Sequence, residues 1–163
     1  MPRDVAPSPS TADDLVIRDA TEADLGRLAE LMNLGGVPGR APRETPGDPA
    51  PYAHALREIH GSDGGVLVAQ LDGEVVGVCQ LIVFRYLQAR GGRCAEIESV
   101  HVHPDWRARG IGTELMEAAI ARARAAGCYR VQLTSNEVRH DAHRFYERLG
   151  LTASHLGFKL SLE

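Results

Sequence analysis

An α+β domain with a central mixed sheet, mostly antiparallel and flanked by helices, is the fold that three features of this 163-residue chain predict. The apolar runs Gly65–Leu71 and Glu74–Phe84 are joined by Asp72-Gly73, a two-residue turn whose positions both favour positive φ, so they form an antiparallel hairpin. The loop Gln88-Ala89-Arg90-Gly91-Gly92-Arg93 then returns the chain into a third alternating run, which ends at Val102. Helical periodicity from Thr113 to Ala126 separates that run from the alternating stretch Tyr129–Thr134. A strand–helix–strand crossover of this kind is right-handed and leaves its strands parallel.

The other elements fall in order around this core. Leu15-Val16-Ile17-Arg18 reads as a short first strand. Thr21 is placed to cap a helix, with Asp24 three residues on in a capping-box position. Leu25, Leu28, Ala29, Leu31 and Met32 give that helix its apolar stripe, and Gly35-Gly36 ends it. Gly35 to Pro51 is too rich in Gly and Pro for regular structure, and reads either as a functional loop or as a disordered insertion. Tyr52–His60 is a second, short helix closed by Gly61. Leu115, Met116, Ala119, Ile120 and Ala123 form the buried stripe of the long helix, with Gly127 at its C-terminal cap. Asp141–Leu149 is a last helix ended by Gly150, and Thr152–Leu162, with Leu156, Phe158 and Leu160 in step, reads as a closing strand. The order is β-α-α-β-β-β-α-β-α-β, without an internal repeat.

A chain of 17.6 kDa suits one domain, assigned to residues 13–163, behind a Pro-, Ser- and Asp-rich leader over 1–12 that is expected to be disordered. The net charge of −4 gives no support for a nucleic-acid or membrane-surface partner. No apolar run reaches membrane-spanning length, and the N-terminus lacks the apolar core of a signal peptide. Cys79, Cys94 and Cys128 lack CxxC spacing, so they read as reduced thiols in a cytoplasmic protein, with no metal site expected.

Chemistry concentrates between Glu96 and Gly112, EIESVHVHPDWRARGIG. Strict alternation places Glu96, Glu98, Val100 and Val102 on one face of the third long strand, which Pro104 ends. Arg107-Ala108-Arg109-Gly110-Ile111-Gly112 then leads into the helix expected to start near Thr113. Glycines permit close approach of backbone N–H groups, and a helix N-terminus favours negative charge, so this loop is a candidate pyrophosphate cradle. It is not a nucleotide-hydrolysing P-loop, which needs Gly-Lys-Ser/Thr, nor a dinucleotide fingerprint, since Leu115 stands where the third glycine would be. A basic turn with glycines for packing is the alternative.

Arg107-x-x-Gly110-x-Gly112 resembles the Arg/Gln-x-x-Gly-x-Gly/Ala signature of the GCN5-related N-acetyltransferase (GNAT) family. The preceding Val100-His101-Val102-His103-Pro104 and the later Phe145-Tyr146-Glu147-Arg148-Leu149-Gly150 are similar to that family's neighbouring motifs, and the run from Arg139 is most similar to its aminoalkylphosphonate and other small-amine branch. The resemblance implies the acyl-CoA N-acyltransferase fold, with the sheet splayed between its fourth and fifth strands. It implies acetyl-CoA as donor and the primary amine of a small molecule as acceptor. A protein or peptide acceptor, or a non-catalytic acetyl-CoA sensor, are the rival readings, and a homodimer is a further possibility.

Roles carry over residue by residue. The resemblance implies that backbone groups of Val100 and Val102 pair with the pantetheine arm. It also implies that the loop Arg107, Ala108, Arg109, Gly110, Ile111, Gly112 and Thr113 holds the pyrophosphate. Tyr146 is then the acid that protonates the departing thiolate. The family often has Asn seven residues before this tyrosine; here Arg139 takes that place, and Asn136, nearby but out of register, is the candidate for the corresponding cofactor contact. Because an amine is protonated near neutral pH, a base is needed, and Glu98 and Glu96 are the candidates. Buried together, their repulsion would raise one pKa. Each has a plainer reading: a salt-bridged strand residue for the glutamates, core packing for Tyr146. His101 and His103 fall on the opposite strand face from the glutamates and lack a third metal ligand at known spacing. His140 and His143, three apart on a helix, form another pair without a further ligand, and His155 is a possible acceptor-site residue.

Overall fold

The computed structural model describes residues 14–36 and 41–162; the leader expected over 1–12 lies outside them. Five strands, β1 (Leu15–Asp19), β2 (Gly65–Leu71), β3 (Glu74–Arg85), β4 (Arg93–Val102) and β5 (Cys128–Gln132), form one sheet in the order β1-β2-β3-β4-β5. The first four are antiparallel neighbours, and β5 pairs parallel to β4. The Asp72-Gly73 turn has positive φ at both residues, as the hairpin requires.

Helices cover both faces. α1 (Leu25–Leu34) and α2 (Ala50–His60) contribute Leu25, Leu28, Leu31 and Leu56 to a core with Val66, Val68, Val75 and Val78. On the other face, α4 (Ile111–Ala125) sets Leu115, Met116, Ala119 and Ala123 against Leu67, Ala69, Cys79, Leu81, Ala95 and Ile97. α5 (His140–Arg148) joins that second core through Tyr146. Burial on both sides explains why β2 and β3 read as near-continuous apolar runs rather than clean alternations. A single turn, α3 (Gln88–Gly91), with Ala89 and Arg90 in the left-handed region, joins β3 to β4. The capping box forms as expected: the Asp24 carboxylate accepts from the Thr21 N–H at 2.7 Å and from both Arg18 terminal nitrogens at 2.8 and 2.9 Å.

Two features open the sheet. β5 pairs with β4 only from Arg93↔Cys128 to Glu96↔Gln132, while β4 runs on to Val102, so the two strands part beyond Glu96. The closing strand expected over Thr152–Leu162 does not form: this segment has no regular structure and is exposed throughout. Alternation sets which side chains share a face, but a strand also needs a neighbour to ladder with, and this segment pairs with no strand among the described residues. No helix among the described residues is long and apolar enough to cross a membrane.

Candidate active site

The expected common face of Glu96, Glu98, Val100 and Val102 is corrected by one residue. Ser99 adopts φ 52°, and the β3–β4 register passes from Gln80↔Glu98 to Val78↔His101, so β4 places two residues opposite Cys79. This is a β-bulge, which re-aims the side chains that follow it. Ala95 and Ile97 pack under α4, and beyond the bulge Val100 and Val102 pack there too. Glu96 and Glu98 therefore point to the other side, and His101 joins them instead of facing away. His101 lies directly against Gly35 at the end of α1, so close that a Cβ on Gly35 would overlap its imidazole, at 1.8 Å from Nδ1.

The gap beyond Glu96 gathers the acid–base groups. Glu96 accepts a hydrogen bond from Gln132 Nε2 at 3.2 Å, bridging the last paired position of β4 and β5. Burial pushes the Glu98 carboxyl above the usual carboxylate range, and the hydrogen bond and charge of Glu96 push it further, against the pull of Lys159. Tyr146, 9% exposed, has its phenol raised mainly by burial; the Arg139 charge pulls it down and the Glu98 charge pushes it up. A carboxyl group and a phenol thus feel one another across the opening, and each is held toward its protonated form. His101 is lowered to about 4 by burial and by Arg139 and Arg107, which keeps it neutral, and its Nδ1 has no hydrogen-bond partner among the described residues.

Sequence reasoning did not bring His101 and Arg139 into the site. The signal for His101 was its place three residues past Glu98, legible only once the bulge is known. The signal for Arg139 was its substitution at the family's asparagine position. Arg139 stands at the N-cap of α5, half-buried and without an ion pair among the described residues, with its charge felt by both Tyr146 and His101.

The glycine–arginine loop forms at the end of β4. Ala108 and Gly110 take φ 60° and 84°, and α4 begins at Ile111, two residues earlier than expected. The first helical bond from this region is Glu114 N–H to Gly110 O, at 3.1 Å; the backbone N–H groups of Ala108, Arg109, Gly110, Ile111, Gly112 and Thr113 find no acceptor among the described residues. Arg107 Nε donates to Val102 O at 3.1 Å, and the Arg109 guanidinium lies 4.7 Å from the centre of the Trp106 ring. Gly112 faces Phe145, where an added Cβ would come within 3.3 Å of the ring, so α5 packs onto the start of α4. A row of unpaired donors with two arginines at a helix N-terminus has the chemistry of an anion site.

Asn136 caps a turn. Its side-chain oxygen accepts from Val138 N–H at 3.1 Å, and its carbonyl meets His143 Nε2 at 2.9 Å. His143 thus braces the entry to α5, stacked edge-on to His140 at 5.8 Å. Of the Gly35–Pro51 loop, residues 37–40 lie outside the described set. The remainder is anchored by Asn33, whose amide bonds the backbone of Glu44 at 3.0 and 3.1 Å, and by the Tyr52 hydroxyl on the Glu44 carboxylate at 3.0 Å.

Residues 29–151 match the acetyltransferase (GNAT) family. The chain is 38% identical over 95 residues to an aminoalkylphosphonate N-acetyltransferase of Salmonella typhimurium, covering 58% of this chain and 61% of that relative. It is 33% identical over 150 residues to a glucosamine 6-phosphate N-acetyltransferase of Trypanosoma brucei brucei, covering 91% of this chain and 97% of the relative. Among solved structures, a Bacillus halodurans C-125 protein described as a transcriptional regulator superposes with a TM-score of 0.82 at 39% identity, covering 91% of this chain and 99% of that one.

Proposed function

The chain belongs to the GNAT acetyltransferase family and is an N-acetyltransferase; from that premise we propose that it moves an acetyl group from acetyl-CoA to the primary amine of a small molecule by direct attack on the thioester. What carries this reading is that β4 and β5 part beyond Glu96, with the Glu98 charge acting on Tyr146 and the free-amide loop following the end of β4.

The residues present fit the cosubstrate. The unpaired N–H groups from Ala108 to Thr113, with Arg107 and Arg109, suit a pyrophosphate. The backbone of Val100 and Val102 borders the gap, where β4 has lost its parallel neighbour and offers ladder positions to a pantetheine arm. Asn136 retains a side-chain amide nitrogen for a further contact. When bound, acetyl-CoA supplies an activated acetyl thioester.

Glu98 takes the proton from the acceptor ammonium, directly or through water, and burial and Glu96 raise its pKa, the direction that makes a carboxylate a stronger base. Glu96, fixed by Gln132, keeps that pKa high and draws the cationic acceptor. Tyr146, kept protonated by burial, donates its proton to the departing thiolate, and the Arg139 charge favours the phenolate that is left. Cys79 is no nucleophile: its thiol is buried and pushed up to about 12, which favours direct transfer over an acetylated enzyme. The relatives acting on an aminoalkylphosphonate and on glucosamine 6-phosphate support a small acceptor.

The test is thiol release from acetyl-CoA against aminophosphonates, amino-sugar phosphates, polyamines, aminoglycosides, amino acids and peptides. Release with a small amine is expected. Release with peptides alone would overturn the acceptor class, and binding of acetyl-CoA without release across the panel would overturn the transfer.

A further inference from the structure

Arg139 is a cation without an acid. Among the described residues the other half-buried arginines, Arg18, Arg27, Arg93 and Arg122, each pair with a carboxylate: Asp24, Glu30, Asp63 and Asp19. Arg139, equally half-buried at the N-cap of α5, has no such partner among them, and its side chain makes no capping bond to the helix it precedes. A charged group drawn partly out of water costs free energy until it is paired. A second polar group nearby is in the same condition. The His101 Nδ1 is shut off from water and has no hydrogen-bond partner among the described residues, and the imidazole lies on the Glu98 side of β4 against Gly35. The Arg139 charge acts on both His101 and the Tyr146 phenol, and the Glu98 charge acts on that same phenol in the opposite sense.

We propose that Arg139 and His101 form an oxyanion subsite of the acceptor pocket, so that the acceptor is a zwitterion whose carboxylate or phosphate group Arg139 holds while its ammonium meets Glu98 and Glu96. The planar guanidinium offers paired donors that match either acid group, and the bond is charge-assisted. His101, neutral and in the tautomer protonated at Nδ1, donates to the same group and so satisfies its own buried nitrogen. The cosubstrate's pyrophosphate is a poorer partner for this cation. A full pantetheine arm separates the pyrophosphate from the thioester, and Arg139 acts at Tyr146, the thioester end. The unpaired amides from Ala108 to Thr113 serve the pyrophosphate instead. The same arrangement selects against diamines, since a second ammonium would meet Arg139 with like charge. The subsite rests on the roles proposed above for Glu98 and Tyr146.

Calorimetric titration of the full chain saturated with free CoA tests the subsite without any transfer taking place. The probes are matched pairs: β-alanine and γ-aminobutyrate with their amides for the carboxylate, and O-phosphoethanolamine with ethanolamine for the phosphate. The wild type should bind the acid member of at least one pair about tenfold or more tightly, the scale of one hydrogen bond to a charged group. Arg139→Gln, which removes no side-chain hydrogen bond of the fold, should erase that preference with an unchanged melting temperature. Arg139→Lys should keep part of it, since the charge stays and the fork is lost. His101→Leu, which leaves an apolar body against Gly35, should lower it by about fivefold. Acids that bind no better than their neutral partners, or not at all, would overturn the subsite, as would a preference that survives Arg139→Gln. A preference lost only in Lys159→Gln would overturn it too, placing the anion at the exposed cation that acts on Glu98. Arg139-dependent binding with no thiol release from acetyl-CoA would leave the subsite standing and overturn the transfer, whereas release without an acid preference would do the reverse.

Discussion

In the proposed role Glu98 must be charged to act as a base and must take up a proton in turn, and its surroundings bear on that balance. Burial makes the largest contribution and Glu96 the next, both raising its pKa, so the active carboxylate form is lost as pH falls through that raised value. Glu96→Gln removes the neighbouring charge and so lowers the Glu98 pKa. The acid limb of kcat/KM against pH should therefore move to lower pH, with activity retained at neutral pH. Loss of activity at every pH would instead make Glu96 the base. The Tyr146 phenol is shifted in the sense its proposed role needs, since a raised phenol stays protonated and able to donate. Tyr146→Phe should lower kcat by about a hundredfold or more, the usual scale for a general acid, with the KM for acetyl-CoA little changed. Equal turnover in the two proteins would return Tyr146 to the packing role that its burial in the α4–α5 core also permits.

Strands and helices were legible here because burial writes itself as periodicity: the stripe of α4 and the Asp72-Gly73 hairpin follow directly from side-chain spacing. The bulge was not legible. Ser99 fits a strand as well as it fits a left-handed residue, and no glycine marks the spot, so regular alternation put Val100 on the wrong side. A related limit applies at the C-terminal segment, where alternation predicted a strand over Thr152–Leu162 that does not form, because side-chain spacing alone does not supply a pairing neighbour. The bulge is open to direct test. A residue at φ 52° without glycine's freedom stores about 1–3 kcal/mol, and a β-branched one there is more strained still. Ser99→Gly should keep turnover and hold or raise the melting temperature. Ser99→Val should either lower the melting temperature or straighten β4, which would carry Val100 and Val102 off the α4 core and abolish turnover. A valine variant matching wild type in both measurements would show that the bulge does not position the site.

Across the whole molecule, cores on both faces hold β1 to β4 in one continuous ladder, whereas β5 is held along only four residue pairs before it departs. The opening is therefore a product of topology: the parallel strand arrives by a crossover through α4, and the helix's own start brings the free-amide loop to the mouth of the gap. The loop's glycines and arginines were readable as an anion site, but the parting of β4 and β5 came only from resemblance, since no local pattern encodes where two strands stop pairing. A ligand that bridges the loop and the gap should tie the folded state together. Free CoA at a hundred times its Kd adds about 2.7 kcal/mol to unfolding. For a domain of this size that raises the melting temperature by about 5–10 °C. Because Arg107 and Arg109 are exposed, the increment at fixed CoA should shrink as salt shortens the screening length from about 10 Å at 0.1 M toward 3 Å at 1 M. Gly110→Ala, strained at φ 84° where glycine is at ease, should reduce the increment while leaving the charge of the loop intact. A melting temperature indifferent to CoA at low salt would remove the pyrophosphate role from this loop, and a rise equally large at high salt would move the binding energy from its arginines to the gap.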